Sequence, residues 1–366
     1  MRILIILFFL CMHTLSAAVG EFGIRSVVPM TEAQRQSLRK IASEHPEAKA
    51  LVAAIGAEAQ PLLDAEPQPL AVIHYEGLVN TDPKRIATVA KLREMDDVAL
   101  LLRYWQATGD ERAADALQRF ITAWASTYEP TGNDVNENKL LPLFVAYLAL
   151  RDRFPAHEQE QVDTWIEDMG TRHARAVKRS NHITNRYTKH VRLTALSGMI
   201  LDRPEWLDLA RSGIKRFVTE SLRADGSSYD LEHRDTLTYH GSSLKPPIEL
   251  AMILGEPELY TWEGPEGGSL KKSVDFVVPY ATGEKTHEEW VNSKVRLDQK
   301  RAAAGLEKYR PGRLYEPKSA HELMENASFF DPGLIPLALS LDDSEAERYP
   351  GWRMLVHDAV ARAAGS

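Results

Sequence analysis

The 366-residue sequence contains a single cysteine, Cys11. It lies in the N-terminal stretch MRILIILFFLCMHTLSAA, where one arginine precedes an apolar run from Ile3 to Met12 and small residues follow at Ser16, Ala17 and Ala18. That order reads as a secretory signal peptide, residues 1–18, cleaved after Ala18. The run is too short to cross a bilayer, and FFLC lacks the small residues that usually precede a lipid-modified cysteine. The mature chain, 19–366, would hold no cysteine. Disulfides, a thiolate nucleophile and thiolate metal ligands are then excluded. Export without disulfides points to a periplasmic or secreted protein.

Long apolar runs are missing from the rest of the sequence, so no membrane partner is expected. Positive charge is also in deficit: 44 Lys and Arg stand against 52 Asp and Glu, a net charge of −8. A net acidic surface gives no reason to expect nucleic acid or an anionic membrane as partner. Strand signals are few. The best is LAVIHYEG (70–77), which also reads as an extended arm. There is no repeat at a fixed period and no low-complexity linker, so one domain is expected, with a looser N-terminal arm over 19–75. A monomer is expected.

What the sequence does have is helical periodicity. Thr31 and Gln34 have capping-box spacing. Val98, Leu101, Leu102 and Trp105 predict a helix over 93–106, and Asp110 caps a second one with Leu117, Phe120, Ile121 and Trp124 on one face. Further helices are predicted over 140–153, 157–177 and 186–200, from Pro204, over 247–254 and 270–278, and in SAHELMENA and GWRMLVHDAVARAA. Hairpins of helices joined by short turns predict an all-α fold, a layered array or a closed toroid.

Against the acidic background one stretch stands out. From Met169 to Leu201 there is no Asp or Glu, yet Arg172, Arg175, Lys178, Arg179, Asn181, His182, Asn185, Arg186, Lys189, His190 and Arg192 all fall there. A solvated helix face normally mixes acids with its bases, and the strip straddles a break at RSNHIT, where a helix start would favour an anion. A second cluster, 224–244, carries Tyr229, Glu232, His233, Arg234, Asp235, Tyr239 and His240 among Gly and Ser. Taken alone it also reads as a loop ion pair beside a half-buried aromatic. A third, PTGNDVNENKLLP (130–142), offers Asn133, Asn136, Asn138 and Lys139 for sugar and carboxylate contacts. A fourth, THEEWVNSKVRLDQKRAAAG (286–305), holds His287, Glu289, Trp290 and Lys294.

Together, amide, imidazole, guanidinium and phenol suit proton abstraction next to a carboxylate. The dianion that forms needs cations or amide donors on the carboxylate. A phenol with an ordinary pKa near 10 becomes a usable base only beside cations. A tyrosine so placed takes the C5 proton of a uronate and protonates the departing O4.

The blocks PTGNDVNENKLLPLFVAYLALRDRF, SNH, RDTLTYH and HEEWVNSKVRLDQKR resemble, in order and spacing, those of the alginate lyase superfamily. The resemblance spans about residues 73–337. It implies an incomplete (α/α) toroid of helical hairpins and β-elimination on an acidic polyuronate, alginate, polymannuronate or glucuronan, with no cofactor and no metal. It further implies that Asn181 holds the substrate carboxylate and that His182 assists or acts as base. Arg234 joins the neutralisation, and Tyr239 is acid and base. Asn136, Asn138, Lys139, Arg179, Arg186, His233 and His240 are the expected substrate contacts. The fit is to the RDxLxYH branch, since Arg234 sits five residues before Tyr239 whereas Glu232 and Asp235 fill the positions where well-known alginate lyases carry arginine.

In mannuronate and glucuronate the C5 proton and O4 share a face, so one tyrosine serves both. In guluronate they are opposed and a second group is needed. Two other classes remain open: a periplasmic polyuronate-binding protein without turnover, and a glycoside hydrolase using two of Asp225, Asp230, Glu232 and Asp235. A zinc site from His182, His233 and His240 has no favourable spacing, and no calcium-loop pattern is present.

Overall fold

Helix forms almost everywhere that apolar spacing predicts it. The computed structural model describes residues 27–79, 81–342 and 344–364, so the signal-peptide reading falls outside the described residues. Helices α1 (Glu32–Glu44), α2 (Pro46–Ala59), α3 (Pro83–Leu92), α4 (Glu94–Thr108) and α5 (Glu111–Thr127) open the chain. A one-turn helix, α6 (Asp134–Glu137), leads to α7 (Leu141–Leu150), α8 (Ala156–Arg179), α9 (Asn185–Ile200) and α10 (Pro204–Ser221). Then come α11 (Tyr229–Arg234), α12 (Leu237–Leu254), α13 (Glu258–Thr261), α14 (Leu270–Ala281), α15 (Arg296–Ala303), α16 (His321–Ala327), α17 (Ile335–Ser340) and α18 (Trp352–Ala364). Among the described residues the only sheet pairs β1 (Glu288–Glu289) antiparallel with β2 (Arg313–Leu314), Glu289 opposite Arg313.

An inner row of helices runs α4, α7, α9, α12, α16, each packed on the next. On its outer side α5, α8 and α10 pack against these in turn, with α8 and α10 both on α9. The circuit returns through α18 and α1 to α4. This is an all-α toroid. Close approach around α9 depends on two glycines. A Cβ at Gly170 on α8 would run into Trp206 and Ser197, and one at Gly213 on α10 would come within 2.8 Å of Val191. Both fix α9 tightly between its neighbours.

Three elements differ from expectation. The N-terminal arm is not loose over the part described: Leu38, Ile41, Ala48, Ile55 and Ala59 of α1 and α2 form a core with Leu355, Val356 and Ala359 of α18. Apolar spacing in a short segment cannot reveal a partner 300 residues away. LAVIHYEG forms no strand. It runs over α6, where Asn136 donates to Ile73 O (2.9 Å) and accepts from Glu76 N (2.9 Å). Finally, α12 begins at Leu237 and continues through Pro246 and Pro247, whereas proline chemistry predicted a start at Pro247. Burial of Leu244, Ile248, Leu250 and Ala251 outweighs the local cost of two missing N–H donors.

Candidate active site

A cleft of about 860 Å³ opens over the inner row, between α6–α7, α9, α12, α15 and the turn entering α16. Nine of its lining side chains are basic and four acidic, which reverses the sign of the chain as a whole. A low-dielectric groove of one sign concentrates the opposite charge, so this groove draws a polyanion.

Tyr239 stands in the first turn of α12, half-buried. That turn is built by Glu289, a buried carboxylate on β1. It accepts from the Thr236 hydroxyl (2.7 Å), the Thr238 N–H (3.0 Å) and the Thr238 hydroxyl (2.9 Å). An anion at a helix N-terminus satisfies the free N–H groups there and favours the helix dipole. The corner before it is strained. Asp235 (φ 51°) and Trp290 (φ 69°) both adopt left-handed backbone, and Trp290 N donates to Asp235 O at 2.7 Å. Such strain persists only where packing over-determines it. Here it sets the Trp290 ring edge-on to Tyr239, centroids 5.6 Å apart.

Two guanidiniums bracket Tyr239. Arg234 lies over the ring, Cζ 4.0 Å from the centroid. It is held by buried Asp298 (Nη1 to Oδ1, 3.1 Å) and lies near buried Asp230 (3.9 Å). Burial pushes both carboxyls up, Asp230 to about 6, while Arg234 acts to lower each. Arg301, also in the cleft lining, interacts electrostatically with Tyr239. Burial works to lower the Arg301 pKa, but the oxygens of Tyr309 and Tyr239 outweigh it and keep the guanidinium above its usual value.

The other wall is α9. Thr184 caps it, and Asp230 accepts the Asn185 N–H at 2.7 Å. Asn185, Arg186, Lys189, Arg192 and Leu196 line the cleft at helical spacing. Arg192 pairs with Glu249 of α12 and donates to Asn138 Oδ1 at 2.6 Å. At the far end Tyr75 lies under two cations, Arg85 (3.8 Å from the centroid) and Lys139 (4.9 Å).

Of the residues expected from sequence, Arg234, Tyr239, Asn138, Lys139 and Arg186 meet in this cleft. Asn181 and His182 do not line it; they are exposed in the turn between α8 and α9. Arg179 is exposed at the end of α8. His240 is buried between Ser228 Oγ (2.7 Å) and Ser273 O (3.1 Å), and burial lowers it to about 4. His233 stacks on Tyr229, centroids 3.7 Å apart. Asn136 holds the 73–76 segment rather than a ligand. Asn185, Lys189, Arg192, Arg301 and Tyr309 are among the lining residues to which the sequence alone assigned no role. For the first three, the α9 periodicity was the available signal.

His182, His233 and His240 are not gathered, and the described residues contain no group of three or more His, Cys, Asp or Glu placed to hold a metal ion. Asp225, Asp230, Glu232 and Asp235, the carboxylates considered for a hydrolase, all lie outside the cleft lining.

A helical toroid whose inner groove is cationic and centred on a tyrosine between arginines fits one class, the polysaccharide lyases, which are carbon–oxygen lyases. The family model described as Alginate lyase matches residues 30–287, and the chain belongs to that family. No curated protein matches by sequence. Among solved structures, an alginate lyase from Bacteroides ovatus superposes with TM-score 0.62 at 14% identity, covering 88% of this chain and 97% of its own. Alginate lyase A1-III from Sphingomonas species A1 gives TM-score 0.54 at 15% identity, over 77% of this chain and 91% of its own. A tyrosine-to-phenylalanine variant of A1-III complexed with tetrasaccharide gives 0.53 at 15%, over 68% and 77%. At these identities the likeness is one of fold.

Proposed function

We propose that this lyase cleaves a polyuronate of mannuronate- or glucuronate-type linkage by syn β-elimination, with Tyr239 as both base and acid. The observation that carries the reading is Tyr239 itself, with Arg234 over its ring and Arg301 beside it in the lining of a net-basic cleft. The phenolate takes the C5 proton, and the cations beside it offset the charge it carries. The C5–H electron pair becomes the C4–C5 double bond as the C4–O4 bond breaks. The same tyrosine returns its proton to O4. Asn185 and Arg186 neutralise the substrate carboxylate, the roles first expected of Asn181 and His182. Among the described residues the cleft lining has no histidine to serve the opposite face of a guluronate, which supports the choice of linkage. The tetrasaccharide held by an A1-III variant supports an oligosaccharide ligand here as well. The signal-like N-terminus supports action in the periplasm or outside the cell, and the acidic surface supports a monomer with no nucleic-acid or membrane partner.

The test is ultraviolet absorbance of the conjugated product on mannuronan, glucuronan, guluronan and hyaluronan. Mannuronan or glucuronan should give it and guluronan should not. Tyr239→Phe should lower kcat by about 10²–10⁴-fold with binding retained. New reducing ends without that absorbance would mean hydrolysis. Binding with neither signal would mean a binding protein.

A further inference from the structure

A buried polar chain runs behind the α9 wall, and beyond its first member the proposed elimination does not use it. It begins at Arg186, whose side chain is 49% exposed in the cleft. Nε and Nη2 both donate to Asp134 Oδ1, at 2.9 and 2.6 Å, and Nη1 donates to Glu76 Oε1 at 3.3 Å. Asp134 is fully buried, and its Oδ2 has no hydrogen-bond partner among the described residues. Behind it, His190 Nε2 lies 3.8 Å from Oδ1. His190 Nδ1 meets His173 Nδ1 at 2.7 Å, and His173 Nε2 meets Glu137 Oε2 at 2.7 Å. Glu137 also accepts from the Tyr128 hydroxyl, the Thr131 amide and hydroxyl, and Gly132 N.

The charges in this chain can be ordered. Burial alone would raise the Glu137 carboxyl, but His173 and the Thr131 donors hold it below the usual range, so it is an anion that claims His173. Burial lowers His190 to about 4, so that ring is neutral at working pH. Asp134 is therefore balanced by Arg186. A buried carboxylate that lost this cation would be strongly destabilised, so the pair is held firmly, with one edge of the guanidinium committed inward.

We infer that Asp134 is a positioning residue for Arg186. It grips Nε and Nη2, and so fixes Nη1 at the cleft surface. There the half-exposed Glu76 is the contact that an incoming uronate carboxylate replaces. Specificity then depends on the fork geometry of arginine as well as its charge, which a lysine at 186 would not reproduce. This rests on the elimination reading above.

The experiment is a double-mutant cycle on mannuronan or glucuronan, following unsaturated product, with thermal melting beside it. Asp134→Asn should lower kcat/KM by about tenfold, chiefly through KM. In an Arg186→Gln background the same change should cost less than about twofold, because its route of action is already gone. Arg186→Lys, at a half-exposed position, should cost nearly as much as Arg186→Gln. Asp134→Asn costing the same factor in both backgrounds would overturn the inference, as would Arg186→Lys with wild-type kcat/KM. Should Asp134→Asn fail to fold, Arg186→Lys, which keeps a cation beside Asp134, decides alone. A wild-type enzyme that gives no unsaturated product on any polyuronate sinks the elimination reading, and this inference with it. Wild-type activity with an additive cycle sinks only the inference.

Discussion

The last turns of α8 and the first turns of α9 carry the same kinds of side chain in different surroundings. On α8, Arg172 pairs with Asp168 one turn back (2.8 Å), and Arg175, Lys178 and Arg179 are exposed. Cations at a helix C-terminus offset its dipole, which explains them without a ligand. On α9, Arg186 and Arg192 each meet a carboxylate from another element, Asp134 of α6 and Glu249 of α12. Those acids hold the cations at the cleft. A basic run by itself does not mark a site. Acids brought from elsewhere to aim the basic groups do.

The sharpest way to break this comparison is to neutralise one lysine or arginine from each half. Lys189→Gln should lower kcat/KM on polyuronate by about tenfold and flatten its salt dependence. Arg179→Gln should change kcat/KM by less than about twofold. Equal losses would mean that the polymer runs along α8 as well.

Titration separates the halves next. The folded His190 has its pKa depressed to about 4 by burial, so the unfolded chain binds its proton first as pH falls. Its contribution to stability is present above about pH 6.5 and lost as pH falls toward 4. His240 has the same sign. Asp230, raised to about 6, has the opposite sign: it takes up a proton in the folded state and opposes part of the loss. The urea midpoint should therefore be lower at pH 5 than at pH 7. His190→Gln should shrink the accompanying loss of unfolding free energy by about 2 kcal/mol.

Much of the fold was legible because helix periodicity is local. The boundaries of α4, α8 and α9 fall within two residues of expectation. What was missed depends on distant partners: α1 and α2 against α18, and α12 through its prolines. The site divides in the same way. Arg234 and Tyr239 were legible because they flank one corner, five residues apart. Arg301, Tyr309 and Arg85 reach the cleft from segments whose meeting no local pattern encodes. Asn181 and His182 follow from the resemblance to a family with an adjacent Asn-His pair, whereas the face that α9 turns to the cleft is read at intervals of three and four residues, as Asn185, Arg186, Lys189 and Arg192.

The smallest expected effect is at His182. The α8–α9 turn is held by backbone contacts. The Ser180 hydroxyl donates to His182 O (2.9 Å) and accepts from His182 N (3.3 Å), Arg216 donates to Ser180 O (2.9 Å), and the Ser221 hydroxyl donates to Ile183 O. None of these needs the imidazole. His182→Ala should keep kcat/KM within about twofold and leave the melting temperature unchanged. Asn185→Ala removes an amide from the cleft lining and should cost about tenfold. If His182→Ala instead lost a hundredfold or more (about 3 kcal/mol) at unchanged stability, the imidazole would have to reach the substrate. The cleft would then extend over the α8–α9 turn, and anti-elimination of guluronate would become chemically accessible.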